Sequence, residues 1–156
     1  MRALRFGLAL VLPAVLAIGS YVTYPGNDKL VLALSSFTRE FDQQLNSVMT
    51  ALIASAEIAP GGEVFLNHPL GDQRFLEPNS GRYWQISGKG QESFSSRSLW
   101  GREIRVSGRK AWTEPLSYNS DQFTNEPLRI VERTVRLPGS KVAWQFVVAR
   151  SRNEPD

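Results

Sequence analysis

With 156 residues, 42% of them apolar, the chain is long enough for about one domain and can bury a core rather than stay disordered. It has no cysteine, which excludes a disulfide framework, thiolate zinc and thiol catalysis. The net charge of +3 comes from scattered lysines and arginines, without the concentrated basic face of a nucleic-acid binder.

The N-terminus carries the first signal. Arg2 and Arg5 precede a charge-free segment, "FGLALVLPAVLAIGSYVTY", Phe6 to Tyr24. As a helix this segment rises roughly 28 Å, close to the thickness of a bilayer's hydrocarbon core. The two arginines predict a cytoplasmic N-terminus and an exported remainder. A cleaved signal peptide is the alternative, with an apolar core from Phe6 to Leu16 and a small-x-small site at Ala17-Ile18-Gly19. Pro13 kinks either version. We expect an uncleaved anchor over residues 1–25, in a bacterial inner membrane with the rest of the chain periplasmic. An envelope protein without disulfides fits that compartment, where they are permitted but not required.

Tyr24-Pro25-Gly26 ends the apolar segment, and Asn27 or Asp28 can cap a new helix. Leu30, Leu34, Phe37, Phe41, Leu45, Val48 and Leu52 then recur at steps of three and four, the helical period. Met49, Ile53 and Ala56 widen the stripe; Arg39, Glu40, Asp42, Gln43, Asn46 and Ser47 lie opposite. Pro60-Gly61-Gly62 stops it, so residues 26–62 read as one long amphipathic helix. Its apolar face must bury against the domain's own sheet, against a parallel partner helix, or against both in different halves, since the spacing is also near-heptad. Leu34, Phe37, Phe41, Leu45 and Val48 are the expected dimer face.

Residues 63–156 read as strands and turns. Short strands are expected at Glu63 to Asn67 and Arg82 to Ser87. Gly88-Lys89-Gly90 turns the latter into a hairpin with Glu92 to Trp100. Trp112 to Leu116 is a strand or a loop, and Ser117 to Pro127 reads as a polar loop. Leu128 to Leu137 alternates, and Lys141 to Ala149, "KVAWQFVVA", is apolar enough for a central strand. One helix followed by about five antiparallel strands is an α+β fold.

Catalytic groups are scarce. His68, before Pro69 in a turn, has no partner at ligand spacing. No G-x-S-x-G elbow presents a serine, and Gly88-x-Gly90 sits in a hairpin turn rather than before a helix. Convergence of two of Glu63, Asp72, Glu77 and Glu92 as a glycosidase pair is an alternative to which nothing in the spacing points. We expect no catalysis by this chain, no metal and no cofactor.

Against that background, "DQRFLEPNSGRYWQI", Asp72 to Ile86, and "SRSLW", Ser96 to Trp100, stand out. They resemble the periplasmic sensor region of a proteobacterial family of two-component sensor histidine kinases. That family reads D-x-R-F-x-x-P-x-S-G-x-Y-W-Q, then Ile or Val, a gap, and R-S-R-S-L-W-D. "FTREFDQQLNSVMTAL", Phe37 to Leu52, resembles its membrane-proximal helix, and "PLRIVERTVRLPG", Pro127 to Gly139, its later strands. The resemblance implies a long helix on a five-stranded antiparallel, PAS-like sheet, a dimer, and a second membrane helix and kinase domains further on. Here Gly101 stands where Asp commonly follows the Trp. The residues up to Asp156 include no second membrane helix or kinase, and His68 lacks the H-E-L-R-T-P context of a phospho-acceptor. The expected role is therefore an extracytoplasmic sensing module without its kinase. A stand-alone secreted or tethered ligand-binding protein is the alternative.

Within the block, Arg82, Tyr83, Trp84, Arg97 and Trp100 are the candidate ligand or signalling surface. Arg82 and Arg97 suit a carboxylate or phosphate, while Arg97 could instead pair with Glu92 or Glu103. Trp84 and Trp100 could equally be packing residues. Expected partners are a second copy, the membrane, and an unidentified small ligand or envelope protein. Net positive charge disfavours divalent cations.

N-terminal sequencing of protein from the membrane fraction tests the anchor. Met1 should be retained; a mature start at Ser20 would establish cleavage instead.

Overall fold

The computed structural model describes residues 25–153. One helix, α1 (Pro25–Ser55), precedes seven strands: β1 (Ala56–Ile58), β2 (Val64–Leu66), β3 (Arg82–Ser87), β4 (Phe94–Ser95), β5 (Leu116–Phe123), β6 (Glu126–Val135) and β7 (Trp144–Ser151). β1 and β2 form a two-stranded antiparallel ribbon, and the other five make one sheet in the order β4-β3-β7-β6-β5. All pairings in it are antiparallel. The class is α+β, as expected. No helix among the described residues is long and apolar enough to cross a membrane; the expected anchor, Phe6 to Tyr24, lies outside them.

The chain forms two compact units, one ending at Phe41 and one starting at Asp42. The described part of the first is helical throughout. It starts at Pro25, a residue suited to a first helical turn because it has no N–H to leave unpaired. Asn27 and Asp28, expected as caps, therefore fall inside the first turn, where the Asp28 carboxylate complements the helix dipole. Ser36 and Thr38 return their hydroxyls to the carbonyls of Leu32 and Leu34, at 2.8 and 3.0 Å. Leu30, Val31, Leu32, Leu34 and Phe37 are exposed, each by 60–64%.

In the second unit Leu45, Met49 and Leu52 are buried at helical spacing. The cross-strand register puts Arg82, Arg150 and Arg129 in one row, with Trp84, Val148 and Val131 in the next row on the same face. The helix is tied to this face by two polar contacts. Arg129 donates from Nε and Nη2 to the two Asp42 oxygens, both at 2.7 Å. Arg150 donates from Nη1 to Gln44 at 2.7 Å. The opposite face carries Tyr83, Val147, Ala149, Leu128 and Ile130, packed with Leu99, Ile104 and Phe123 into one apolar cluster. β7, "WQFVVARS", is the central strand and is buried from Phe146 to Ser151. It pairs with β3 and β6, so both its edges and both its faces are covered.

Three elements differ from expectation. The helix expected to reach Pro60 ends at Ser55, because Ala56 to Ile58 alternate and find an antiparallel partner in β2. The Pro60-Gly61-Gly62 run serves as the connecting turn, with Gly62 at φ 92°. The strand expected over Glu92 to Trp100 shrinks to the two residues of β4. Ser117 to Pro127, expected as a polar loop, contains most of β5 and the start of β6. Its polarity is that of an edge strand: Phe123 is buried and Tyr118 packs on the apolar cluster, while Asn119 and Asp121 face water. Thr124 and Asn125 make the hairpin turn, with Asn125 in the left-handed region at φ 58°. The segment from Trp112 up to β5 is a loop. At the other hairpin Gly88 cannot be replaced freely, since a Cβ there would meet Val142 Cγ1 at 2.7 Å and Trp144 Cε3 at 2.9 Å.

Leu52→Ala should destabilise the full chain by about 2–5 kcal/mol, the usual cost of emptying a buried leucine site. Leu34→Ala should stay within about 0.5 kcal/mol in the monomer. Denaturant unfolding in detergent compares them; equal losses would mean that the N-terminal half of α1 is also packed inside one protomer.

Candidate functional site

The block singled out in the sequence is built mostly of residues that hold the backbone. Asp72 caps a short 3-10 turn, Gln73–Leu76, by accepting from the Arg74 N–H at 3.0 Å. Arg74 also donates from Nε and Nη2 to the same carboxylate. These bonds hold the Asp72 carboxyl below its ordinary range. Phe75 of that turn is buried.

The "SRSLW" segment leaves the sheet because its serines pair with β3 in place of a strand. Ser96 N–H donates to the Trp84 carbonyl at 2.9 Å, and Trp84 N–H donates to Ser96 Oγ at 3.0 Å. Ser98 Oγ donates to the Arg82 carbonyl. Both serines are buried. Arg97–Leu99 then forms a 3-10 turn, and Leu99 enters the apolar cluster. Trp100 closes the turn in the left-handed region, φ 51° and ψ 49°, which is strained for an aromatic residue. It is 59% exposed, with the exposed Arg97 guanidinium 5.9 Å from its ring centre.

The five candidate residues therefore divide among three places. Arg82 and Trp84 lie on the helix-covered face of the sheet, where Trp84 meets the Phe94 ring edge-on at 5.1 Å. Tyr83 lies on the opposite face, fully buried. Only Arg97 and Trp100 are brought together at the surface. Arg97 forms no ion pair with Glu92 or Glu103; Glu103 instead accepts from Ser93 at 3.2 Å.

Around Tyr83 the structure assembles a cluster that the sequence did not reveal. Its hydroxyl donates to Glu126 and accepts from Gly81 N–H at 3.1 Å and Arg102 Nη2 at 3.0 Å. Arg102 reaches Glu126 at 3.3 Å and lies 4.3 Å from the Phe123 ring centre. Burial, then the Glu126 contact, pushes the Tyr83 hydroxyl above its ordinary pKa, so it stays a donor. The members are far apart in sequence and no local spacing signals them.

A second row joins the same face to the irregular segment between Trp100 and β5. Gln85 exchanges two hydrogen bonds with the Ile104 backbone, each 2.8 Å. Glu132, buried, accepts from Ser107 N–H at 2.8 Å, Ser107 Oγ at 2.6 Å and Tyr118 OH at 2.8 Å. Burial, and then this carboxylate, raises the Tyr118 pKa. Thr134 Oγ1 accepts from the Ala111 N–H at 2.8 Å. These groups satisfy one another and leave no free nucleophile or base among them. Among the described residues no three His, Asp or Glu side chains converge as a metal set.

Residues 14–155 match the family model described as two-component sensor kinase N-terminal. The chain belongs to this family. Comparison with curated proteins and with solved structures gave no significant match. The resemblance read from Asp72 to Ile86 and from Ser96 to Trp100 points to the same class. A sensor kinase N-terminal region is not itself catalytic, and the match leaves no part of the described chain to a kinase domain.

In this sensor kinase N-terminal domain the block's buried and exposed members should separate under mutation. Trp84→Ala should cost about 3–5 kcal/mol. Ser96→Ala, which orphans the Trp84 N–H, should cost about 1–3 kcal/mol. Arg97→Ala should stay within about 0.5 kcal/mol. Thermal melts rank them; an Arg97 variant as depressed as the Trp84 variant would make Arg97 a structural residue.

Proposed function

We propose that this domain is the extracytoplasmic sensing module of a membrane-bound sensor histidine kinase and works as a parallel homodimer in the bacterial envelope. The division of α1 is the observation that carries the dimer. Leu45, Met49 and Leu52 are committed to the protomer's own core, whereas Leu30, Leu34 and Phe37, on the same helical stripe, remain about 60% exposed. A stripe of that kind is stable in water only when something covers it. A second copy in register supplies the matching stripe, with Phe41, half-buried, at its lower end. Leu30, Val31, Leu32 and Ala33 make the helix apolar on every side just after its polar first turn, which suits a segment near a membrane surface.

The arrangement of one helix over a five-stranded antiparallel sheet is consistent with the PAS-like sensor that the resemblance implies. Arg97 and Trp100 serve as the surface that meets a ligand or an envelope partner: both are exposed, and the Arg97 guanidinium lies 5.9 Å from the Trp100 ring centre. Family membership favours an input module over a stand-alone binding protein.

The chain has no cysteine, so single cysteines report cleanly. Placed at Leu30, Leu34 and Phe37 of the full chain in membranes, they should crosslink strongly, and at Ser36 and Arg39 weakly. Uniformly weak crosslinking at all five positions would sink the dimer.

A further inference from the structure

β6 outruns its neighbour. The β5 ladder stops where Leu116 faces Glu132, so Arg133, Thr134 and Val135 continue without a strand on that edge. The Thr134 N–H finds the Ala111 carbonyl there at 3.1 Å. The chain then swings through Trp112 and leaves a cleft of about 490 Å³ lined by Trp112 and Arg133 to Arg136.

Two arginines at this cleft have no carboxylate partner among the described residues. Arg133 Nε is buried and has no hydrogen-bond partner among the described residues. An orphaned buried donor is costly, and a guanidinium donor more so. Arg136 lies with its guanidinium 5.3 Å from the Trp112 ring centre, and Trp112 is 43% exposed. Neither arginine forms an ion pair among the described residues, although Arg74, Arg102 and Arg129 each do. Glu57 lines the adjoining hollow together with Arg136 but accepts from Asn67 Nδ2 at 2.9 Å. Thr134 Oγ1 is already engaged by Ala111 and Gln145.

Guanidinium forks match the spacing of carboxylate and phosphate oxygens, and an exposed indole offers a face for a flat apolar body. We propose that this cleft binds a small organic oxyanion, a carboxylate or phosphate on a flat apolar body. Arg136, beside Trp112, and Arg133, from the other face of β6, meet the charge around the free edge of the strand, and Trp112 holds the body. The inference uses residues outside the Arg74 to Trp100 block and stands independently of the dimer. The hollow near Lys89, Lys110 and Lys141, about 630 Å³, is also basic, but Glu103 shares it and it contains no orphaned donor. It serves as the comparison site.

Isothermal titration calorimetry on the full chain in detergent decides the matter, with phenyl phosphate, benzoate, inorganic phosphate and uncharged benzamide as probes. At least one aryl anion should bind saturably, and benzamide should not; the better of phenyl phosphate and benzoate names the head group. Arg133→Gln and Arg136→Gln should each weaken that anion roughly tenfold or more, the loss of one charge-assisted fork. Arg133→Lys, which keeps the charge without the fork, should not restore it. Trp112→Ala should weaken the aryl anions and leave inorganic phosphate unchanged, and Lys141→Gln should change nothing. Saturation by no probe would overturn the proposal. So would arginine variants that bind like the parent, or a Lys141 variant as impaired as they are. Melting curves accompany each variant; if Arg133→Gln unfolds, the exposed Arg136→Gln decides alone.

Discussion

A five-stranded sheet has two faces, and among the described residues one α-helix, α1, is available to lay on it. The second face is closed by irregular backbone after Trp100, whose N–H and C=O groups have no ladder of their own and still require partners once buried. Gln85, Glu132 and Thr134 supply them. Gln85 and Glu132 flank Val147 in a single cross-strand row, so β3, β6 and the covering segment are fastened at one level. Gln85 answers Ile104 with both ends of its amide, Glu132 answers Ser107 twice, and Thr134 answers Ala111. Without them the apolar cluster around Tyr83, Leu99 and Ile104 would face water. This requirement also explains three polar residues in strands that are otherwise apolar on that face.

The arginines sort by whether a carboxylate meets them. Arg129 is held by Asp42, Arg102 by Glu126 and Arg74 by Asp72, and each pair joins or caps elements of the second unit. Arg129 is the most enclosed of the three, and its bond to Asp42 raises its pKa despite burial. Arg97, Arg133 and Arg136 stand apart. None of the three has an ion-pair partner among the described residues, and Arg97 and Arg136 lie beside exposed tryptophan rings. The family is that of sensor kinase N-terminal regions, and the proposed ligand contacts fall at these arginines.

The helix has a comparable division of labour. Its apolar stripe continues without interruption from Leu30 to Leu52, yet only the part beyond Asp42 is satisfied within one protomer. A uniform pattern in sequence thus divides in the fold into a covered part and an exposed part, because periodicity specifies which face is apolar and not what will cover it.

The sequence by itself determined the α+β order, the helix and its face, the alternation of β3 and β6, the central position of β7 and the family, since each rests on local periodicity or on a contiguous motif. It also marked Arg74 to Trp100 as distinctive. Only the tertiary structure decided what those residues do. Ser96 and Ser98 take over the edge of β3 and end a strand that hydrophobic alternation would have continued; Tyr83 turns inward to Arg102 and Glu126, while its neighbour Trp84 faces the helix. β5 was illegible because an edge strand needs little apolar surface, and β1 because three residues cannot show a period. The cleft at Arg133 and Arg136 was invisible for a further reason: it exists because β5 begins opposite Glu132, and strand register is a property of pairing across the sheet, not of either strand alone.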